Sequence, residues 1–425
     1  MIPNVQSWWS IPFIVLLACI ALLPFINKHF WERFYPHISI GLGLLVAVFY
    51  ATQLGDYGRE TLGHTALEYF KFIALVGSLF VVSGGILIDI SGAGNPRVNT
   101  LLLLAGLLLS NVVGTTGASV LLIRPFLRIN KDRQRPFHIV LFIFLVSNCG
   151  GALTPIGDPP LFLGYINGVP FEWTIIHCFA PWALVNGLLL AIFFVMDSRT
   201  PCAPDRVPNG VRISGGFNAV CLILVLLGVF LDRILAAYIS PSFAAWPLGA
   251  ILMTGAGALA YLHADKAILA HNDFHFGPMK EVALLFAGIF ATMMPALAYL
   301  ETHASSLGLQ SPGGFYFACG GLSSVLDNAP AYLNFLSVAQ GLKGLPLTPD
   351  GVHRFSEVYP QYLRGISLGA VFFGACTYIG NGPNFMVKSI AESAGAKTPG
   401  FFEYIIRYTL PILVPVYVLV WYIFL

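Results

Sequence analysis

Apolar side chains in this chain come in blocks of about twenty residues separated by short polar segments, not in the alternation of strands or the narrow stripes of soluble amphipathic helices. A helix rising about 1.5 Å per residue needs about that length to cross a hydrocarbon layer of about 30 Å. Ten blocks can be placed as crossings, approximately 8–27, 35–53, 66–90, 136–166 and 171–196 in the first half and 214–237, 243–263, 280–300, 362–391 and 401–425 in the second. Two further blocks, about 99–127 and 312–340, hold Ser, Asn, Thr, Gly or Pro at their centres. Lipid offers those groups no hydrogen-bond partner, so each block predicts a re-entrant hairpin shielded by protein. The polar, proline-rich run from Asp197 to Gly210 predicts a cytoplasmic linker at 197–213 between halves 1–196 and 214–425.

Composition agrees with this pattern. The chain has 425 residues, 57% hydrophobic and 10% charged, with a mean hydropathy of +0.78, where a soluble domain carries about 25% charged residues. The fold class expected is therefore an all-α polytopic membrane protein with the lipid bilayer as its solvent. A net charge of +2 gives no reason to expect nucleic acid as a partner. The seven cysteines form no CxxC pair and suggest neither a disulfide framework nor a zinc site. His271 and His275 share an i, i+4 spacing, but they lie in a predicted loop without a third ligand.

The basic residues set the expected topology. With ten crossings, one side holds Lys28, Arg33, Arg97, Arg124, Arg128, Lys131, Arg133, Arg135, Arg199, Arg206, Arg212, Lys266, Lys280, Lys388 and Lys397, and the other holds Arg59, Arg233, Lys343, Arg354 and Arg364. The bias places both termini outside the cytoplasm in a bacterial-type inner membrane, and it would be scrambled if either hairpin crossed. The N-terminal apolar run lacks a preceding basic region, which predicts a retained first helix with Trp8 and Trp9 at the interface.

The halves repeat. Gly151–Phe162 (GALTPIGDPPLF) aligns without gaps on Gly374–Phe385 (GACTYIGNGPNF), with seven of twelve positions identical. The hairpin centres Ser110–Gly117 (SNVVGTTG) and Ser323–Pro330 (SSVLDNAP) also correspond, at an offset of 213 where the first pair has 223. Five crossings per half is an odd number, so the second copy is inverted, the arrangement of secondary transporters.

The chemistry lies in the repeated segments. Pro155, Pro159 and Pro160 lack N–H groups and Gly157 permits unusual dihedrals, so the helix must break within Thr154–Pro160; Thr377–Pro383 breaks its counterpart. Freed backbone carbonyls can coordinate cations and freed N–H groups can hold anions. Asp158 and Asp327 are acids at membrane depth, where a charge that only capped a helix could be replaced by Asn without penalty. Each is a candidate for binding Na+ or a proton, and one carboxylate alternating between the two is sufficient chemistry for exchange. Around them stand uncharged oxygen donors suited to a hard cation: Ser110, Asn111, Thr115, Thr116, Ser147, Asn148, Thr154, Ser323, Ser324, Asn328, Thr377, Asn381 and Asn384. The competing reading is that these residues cap helix ends and satisfy backbone groups.

At Ser147–Phe162, SNCGGALTPIGDPPLF resembles the SxxGGxxTPIGDPP signature of NhaD-type sodium/proton antiporters in the ion transporter superfamily, which also includes citrate and dicarboxylate transporters and arsenite permeases. The resemblance implies an ion site for Na+ at Asn148, Thr154 and Asp158, with Asp327 and Asn328 as the hairpin's Asp-Asn pair. It also implies hairpins and broken helices that move against a scaffold of early helices, which could supply a homodimer interface. Where those antiporters carry Asp-Asn in the first hairpin, this chain has Gly114-Thr115. The expected function is a non-enzymatic, ion-coupled secondary transporter with no cofactor beyond Na+ and H+ themselves. Na+/H+ antiport is the first reading, because the four motifs contain two acids and no Lys or Arg. Na+-coupled import of citrate or a dicarboxylate, held by backbone N–H groups and hydroxyls, is the alternative.

Overall fold

The computed structural model describes residues 6–425 except 92–93, 202–209, 239–246, 273, 304–307 and 347. Three helices follow one another at the start: α1 (Ile11–Ile26), α2 (Lys28–Gln53) and α3 (Gly55–Gly84). α3 begins earlier and ends earlier than the block 66–90 suggested, because Gly84 and Gly85 stop it and the chain continues as strand β1 (Leu87–Ser91). β1 pairs antiparallel with β2 (Gly210–Ser214), setting Asp89 opposite Arg212. Asn272 donates to the carbonyls of Gly84 (2.9 Å) and Ile86 (2.8 Å), satisfying the acceptors the helix end leaves open. The fold is all-α apart from this ribbon among the described residues. At the linker, Asp197 and Ser198 belong to a helix and 210–213 to β2, while 202–209 lie outside the described residues.

The two centrally polar blocks both fold back on themselves. α4 (Pro96–Ile129) reverses at Gly114, whose φ of 76° and ψ of 157° only glycine adopts readily. Its ends meet through reciprocal Asn99–Asn130 side-chain bonds of 2.8 Å each and through Gly94 N–H donating to the Ile129 carbonyl at 2.6 Å.

Two broken helices follow the same plan. α5 (Pro136–Leu145) leads through a tight turn at Cys149–Leu153 to α6 (Pro159–Ile166), and then to α7 (Phe171–Ser198). In the second half, α8 (Gly216–Tyr238), α9 (Leu248–His263), the short α10 (Lys266–His271) and α11 (Gly277–His303) precede the second hairpin, α12 (Pro312–Ser323) and α13 (Asn328–Leu342). That hairpin is closed at its base by Tyr362, whose hydroxyl accepts from Lys343 Nζ (3.2 Å) and donates to the Gln310 carbonyl (2.6 Å). After α14 (Pro349–Val358), α15 (Pro360–Phe373) breaks at Gly374–Cys376 before α16 (Gly382–Ser393), and α17 (Phe401–Phe424), with π-helical turns at Ile405–Leu413, ends the chain. Each break is pinched shut by a glycine pair: a Cβ on Gly157 would meet Gly151 O at 2.1 Å, and one on Gly380 would meet Gly374 O at 2.6 Å.

By length and composition seven segments among the described residues could cross a membrane, counting the folded-back α4 and α5 together with the turn that follows it, and Ser7–Ile20, Gly216–Asp232 and Leu248–His263 are shorter apolar helices. The early helices of the two halves pack on each other. Phe72 of α3 stacks on Phe286 of α11 at 4.7 Å, Ser78 donates to Met253 O of α9 at 2.7 Å, and Ser39 of α2 donates to Leu284 O at 2.9 Å. Hydroxyls that bond a neighbouring helix's backbone at close approach join helices where no water drives association. Large apolar side chains such as Leu44, Ile176 and Leu262 remain on the outside, as a lipid-facing surface requires.

Candidate functional site

Asp158 caps α6 by position, with extended backbone at φ −142° and ψ 144°, yet its side chain makes no capping bond. Pro159 and Pro160 occupy the first two helical positions and have no N–H to offer it. The carboxylate turns inward instead and is 1% exposed. Oδ1 accepts from Thr115 Oγ1 at 2.7 Å and from Asn381 Nδ2 at 3.2 Å, and Oδ2 accepts from Asn328 Nδ2. One donor comes from each hairpin and one from the opposite break, so elements distant in sequence converge on one acid. Thr115 and Asn328 are counterparts at the hairpin offset, as Asp158 and Asn381 are at the break offset.

The donors are all neutral, and Asn328 Oδ1 is buried without a hydrogen-bond partner beside the carboxylate. A cavity of about 30 Å3 adjoins, lined by Gly114, Thr115, Thr116, Gly157 and Asp158 and roofed by Leu75, Val76 and Leu79 of α3. One water-sized sphere needs about 10–15 Å3. The space suits a bare cation or a water and excludes an organic acid in this conformation.

Behind Asp158 lies an amide cluster. Asn381 Nδ2 also donates to Asn148 Oδ1 (3.1 Å) and to the Ser147 carbonyl (3.2 Å); Asn148 Nδ2 donates to Asn384 Oδ1 (2.6 Å); Asn384 Nδ2 donates to the carbonyls of Gly374 (2.8 Å) and Thr377 (2.9 Å). These amides hold the two breaks against each other and satisfy carbonyls that the breaks free.

Other sequence-predicted residues fasten each hairpin to its own break. Thr154 Oγ1 donates to the Asn111 carbonyl at 2.7 Å, and its counterpart Thr377 Oγ1 donates to the Ser324 carbonyl at 2.5 Å. Each threonine oxygen also receives the backbone N–H of its pinching glycine, Gly157 at 3.2 Å or Gly380 at 3.1 Å. Asn111 bridges Gly150 O (2.7 Å) and Leu153 N (3.1 Å), and Ser323 donates to Ala370 O at 2.6 Å. Ser110 and Ser324 turn their hydroxyls back on their own helices, to Leu107 O (2.8 Å) and Gly321 O (2.7 Å).

Asp327 behaves differently from Asp158. It is half-buried and caps α13, accepting from Ala329 N at 3.2 Å, with no hydrogen bond between these two described aspartates. Here the local cap, not an inward site, orients the carboxylate. Among the described residues no three His, Cys, Asp or Glu side chains group as a metal site, and the segment His271–His275 contains Asp273, outside the described residues.

Three features escaped sequence reading. Ser119 pairs with Ser147 at 2.8 Å, and Asn186 and Trp182 of α7 donate to Cys149 O (3.2 Å) and Gly150 O (2.8 Å). Asp197, expected in the linker, is buried at the end of α7, where it meets Arg133 (2.7 Å), His138 (2.9 Å) and Asn99 (2.8 Å). A polar residue inside an apolar run was the signal for the first two. For Asp197 there was none, since a charged helix end beside a polar linker looks solvated.

Comparison with known proteins gives a consistent picture. A family model described as "Putative citrate transport" matches residues 2–425. Proteins of Mycobacterium bovis and Mycobacterium tuberculosis, each described as an uncharacterized transporter, are 24% identical over 418 residues, covering 91% of this chain and 86% of theirs. A 46 kDa membrane protein of Mycobacterium leprae is 27% identical over 331 residues, 73% of each chain. A match over the whole chain, on a polytopic helical fold, settles the class: this chain is a membrane transporter and belongs to that citrate transporter-like family of the ion transporter superfamily.

Proposed function

We propose that the protein is a cation-coupled secondary transporter of the bacterial plasma membrane in which Asp158 binds Na+ and H+ alternately, exchanging one for the other. The observation that carries this reading is Asp158 itself, an acid buried among neutral donors from both hairpins and the opposite break, beside the unpartnered Asn328 Oδ1 and a cation-sized cavity. A buried carboxylate without a cationic side chain can be neutralised by a proton or by a metal cation, and only one of them fits at a time. Thr115 Oγ1, Asn328 Oδ1 and the carboxylate are the oxygens offered to Na+. The matching bonds in the two halves support an internal repeat, and with it go the inversion, ten crossings, two re-entrant hairpins and both termini outside expected from the distribution of apolar and basic residues. Hairpins and broken helices, latched by Thr154 and Thr377, would move as a unit against the early helices.

The family match favours a second reading, import of a citrate-class carboxylate with Na+ supplying its positive charge. The 30 Å3 cavity would then have to widen between the hairpins. Purified protein in liposomes with a trapped pH-sensitive dye separates the two. Proton efflux driven by Na+ or Li+ pulses, without added carboxylate, supports exchange. No proton movement, together with uptake of labelled citrate only in the presence of Na+, replaces it with symport.

A further inference from the structure

The face of α3 that roofs the Asp158 cavity continues toward the start of the helix as a row of ionisable groups. Leu75, Val76 and Leu79 line the cavity. On the same face, at helical spacing, come Lys71, Glu68 and His64. Lys71 is paired with Asp232 of α8 at 3.6 Å, and Asp232 also accepts from Gly249 N at 2.6 Å, so these charges answer each other. Glu68 is different. Its side chain is 13% exposed, its Oε1 is buried with no hydrogen-bond partner, and its Oε2 lies 3.7 Å from His64 Nδ1. The groups that face it are His64 and Lys71 on α3 and, at the end of α6, Asn167, whose side-chain amide offers the carboxylate a hydrogen bond. His64 is 59% exposed and stands between Glu68 and the membrane face at which α3 begins.

Glu68 therefore sits in the seam between an early helix and a broken helix, an environment in which a buried carboxylate oxygen without a partner calls for a proton or a cation. α6 carries Asp158 at its first end and Asn167 at its last. At about 1.5 Å per residue the helix is about 12 Å long, and Glu68 lies about 10 Å along α3 from Leu75. The two lengths agree. Sliding α6 by its own length along α3 brings Asp158 to the level of Glu68.

We propose that His64 and Glu68 are the proton port of this transporter, an intermediate site separate from the Asp158 cavity. A hydronium ion from the aqueous side protonates the His64 imidazole and leaves as water; the imidazolium passes its Nδ1 proton to Glu68 Oε2 and returns to neutral imidazole, leaving Glu68 a neutral carboxylic acid. When Asp158 arrives at that level without its cation, Glu68 passes the proton on and is again a carboxylate. The inference rests on proton coupling as proposed above.

The test compares wild type, Glu68→Gln, Glu68→Asp and His64→Gln in dye-loaded liposomes, with Na+-dependent thermal stabilisation of the same preparations as a separate readout of cation binding. The expected result is that Glu68→Gln lowers Na+-driven proton flux about 100-fold, at the low end of what a positioned proton-transfer group contributes, while the Na+ midpoint for stabilisation is unchanged. Glu68→Asp restores flux, and His64→Gln slows it with an altered pH profile. Flux in Glu68→Gln within about twofold of wild type overturns the port and leaves the Asp158 reading standing, as does loss of Na+ binding in that variant, which would make Glu68 structural. Absence of proton movement in wild type with Na+, Li+, K+ or citrate overturns both.

Discussion

Asp158→Asn isolates charge from shape. In the wild type the carboxylate accepts from Thr115 (2.7 Å), Asn381 (3.2 Å) and Asn328. The substitution turns one oxygen into an amide that donates, and the neighbouring unpartnered Asn328 Oδ1 can receive it if Asn328 turns over. The three bonds weaken from charge-assisted to neutral, a loss of about 1 kcal/mol each, while a buried charge costing at least a few kcal/mol disappears. The unfolding midpoint should therefore stay within a few degrees of wild type or rise. Cation binding has no such compensation: removing one unit charge at about 4 Å, with an effective dielectric of about 20, removes about 4 kcal/mol, roughly a thousandfold in affinity. The assay is thermal stabilisation against Na+ concentration in detergent, followed by liposome flux. A variant that keeps the wild-type Na+ midpoint, or carries Na+-driven flux above about one-tenth of wild type, would refute the placement of the cation at Asp158.

Three further outcomes follow from the same geometry. Thr154→Val and Thr377→Val each remove a hairpin-to-break bond, but Gly157 N–H keeps the Thr154 carbonyl as an acceptor at 2.9 Å, whereas Thr377 Oγ1 accepts from both Ile379 N–H (3.2 Å) and Gly380 N–H (3.1 Å). Both should lower the unfolding free energy, Thr154→Val by about 1 kcal/mol and Thr377→Val by up to about 3 kcal/mol, and a thermal scan in which Thr154→Val is the more damaging would contradict this assignment of acceptors. Gly114→Ala forces a side chain into φ 76°, ψ 157° and should cost about 1–3 kcal/mol, read as a lower unfolding midpoint together with slower transport; an unchanged midpoint would contradict the hairpin turn. Asp197→Leu leaves Arg133, whose side chain is 4% exposed, buried without its partner, a loss of about 3–5 kcal/mol. The double variant Arg133→Met/Asp197→Leu should recover much of it, and recovery below about 1 kcal/mol would show that the pair is not what holds that corner.

Much of the architecture was legible in sequence because lipid imposes simple rules. A block of about twenty apolar residues must be helical, and polar residues at its centre must be covered by protein. Prolines at 155, 159 and 160 have no N–H, so a break near Thr154–Pro160 follows from covalent structure, although α5 already ends at Leu145, ahead of all three. The equivalence of Thr154 with Thr377 and of Thr115 with Asn328 was likewise written in the aligned motifs. Less legible were ends and ribbons. α3 runs from Gly55 to Gly84 rather than 66–90, and strands β1 and β2 lie where a helix end and a linker were expected, since five-residue segments leave no periodic signal of their own.

The sequence by itself thus determined a polytopic helical transporter with two interrupted motifs and an acid in or beside each of two of its centrally polar segments. It did not distinguish the acids. Only the tertiary structure decided that Asp327 caps its own helix while Asp158, denied a cap by Pro159 and Pro160, collects donors from segments 43, 170 and 223 residues away. It also decided that Glu68 faces the seam beside α6 and that Asp197 is buried with Arg133 and His138. The reason is physical: hydropathy and backbone chemistry are local and can be read along a chain, whereas the partners that accept or refuse a buried charge are brought together only when distant helices pack.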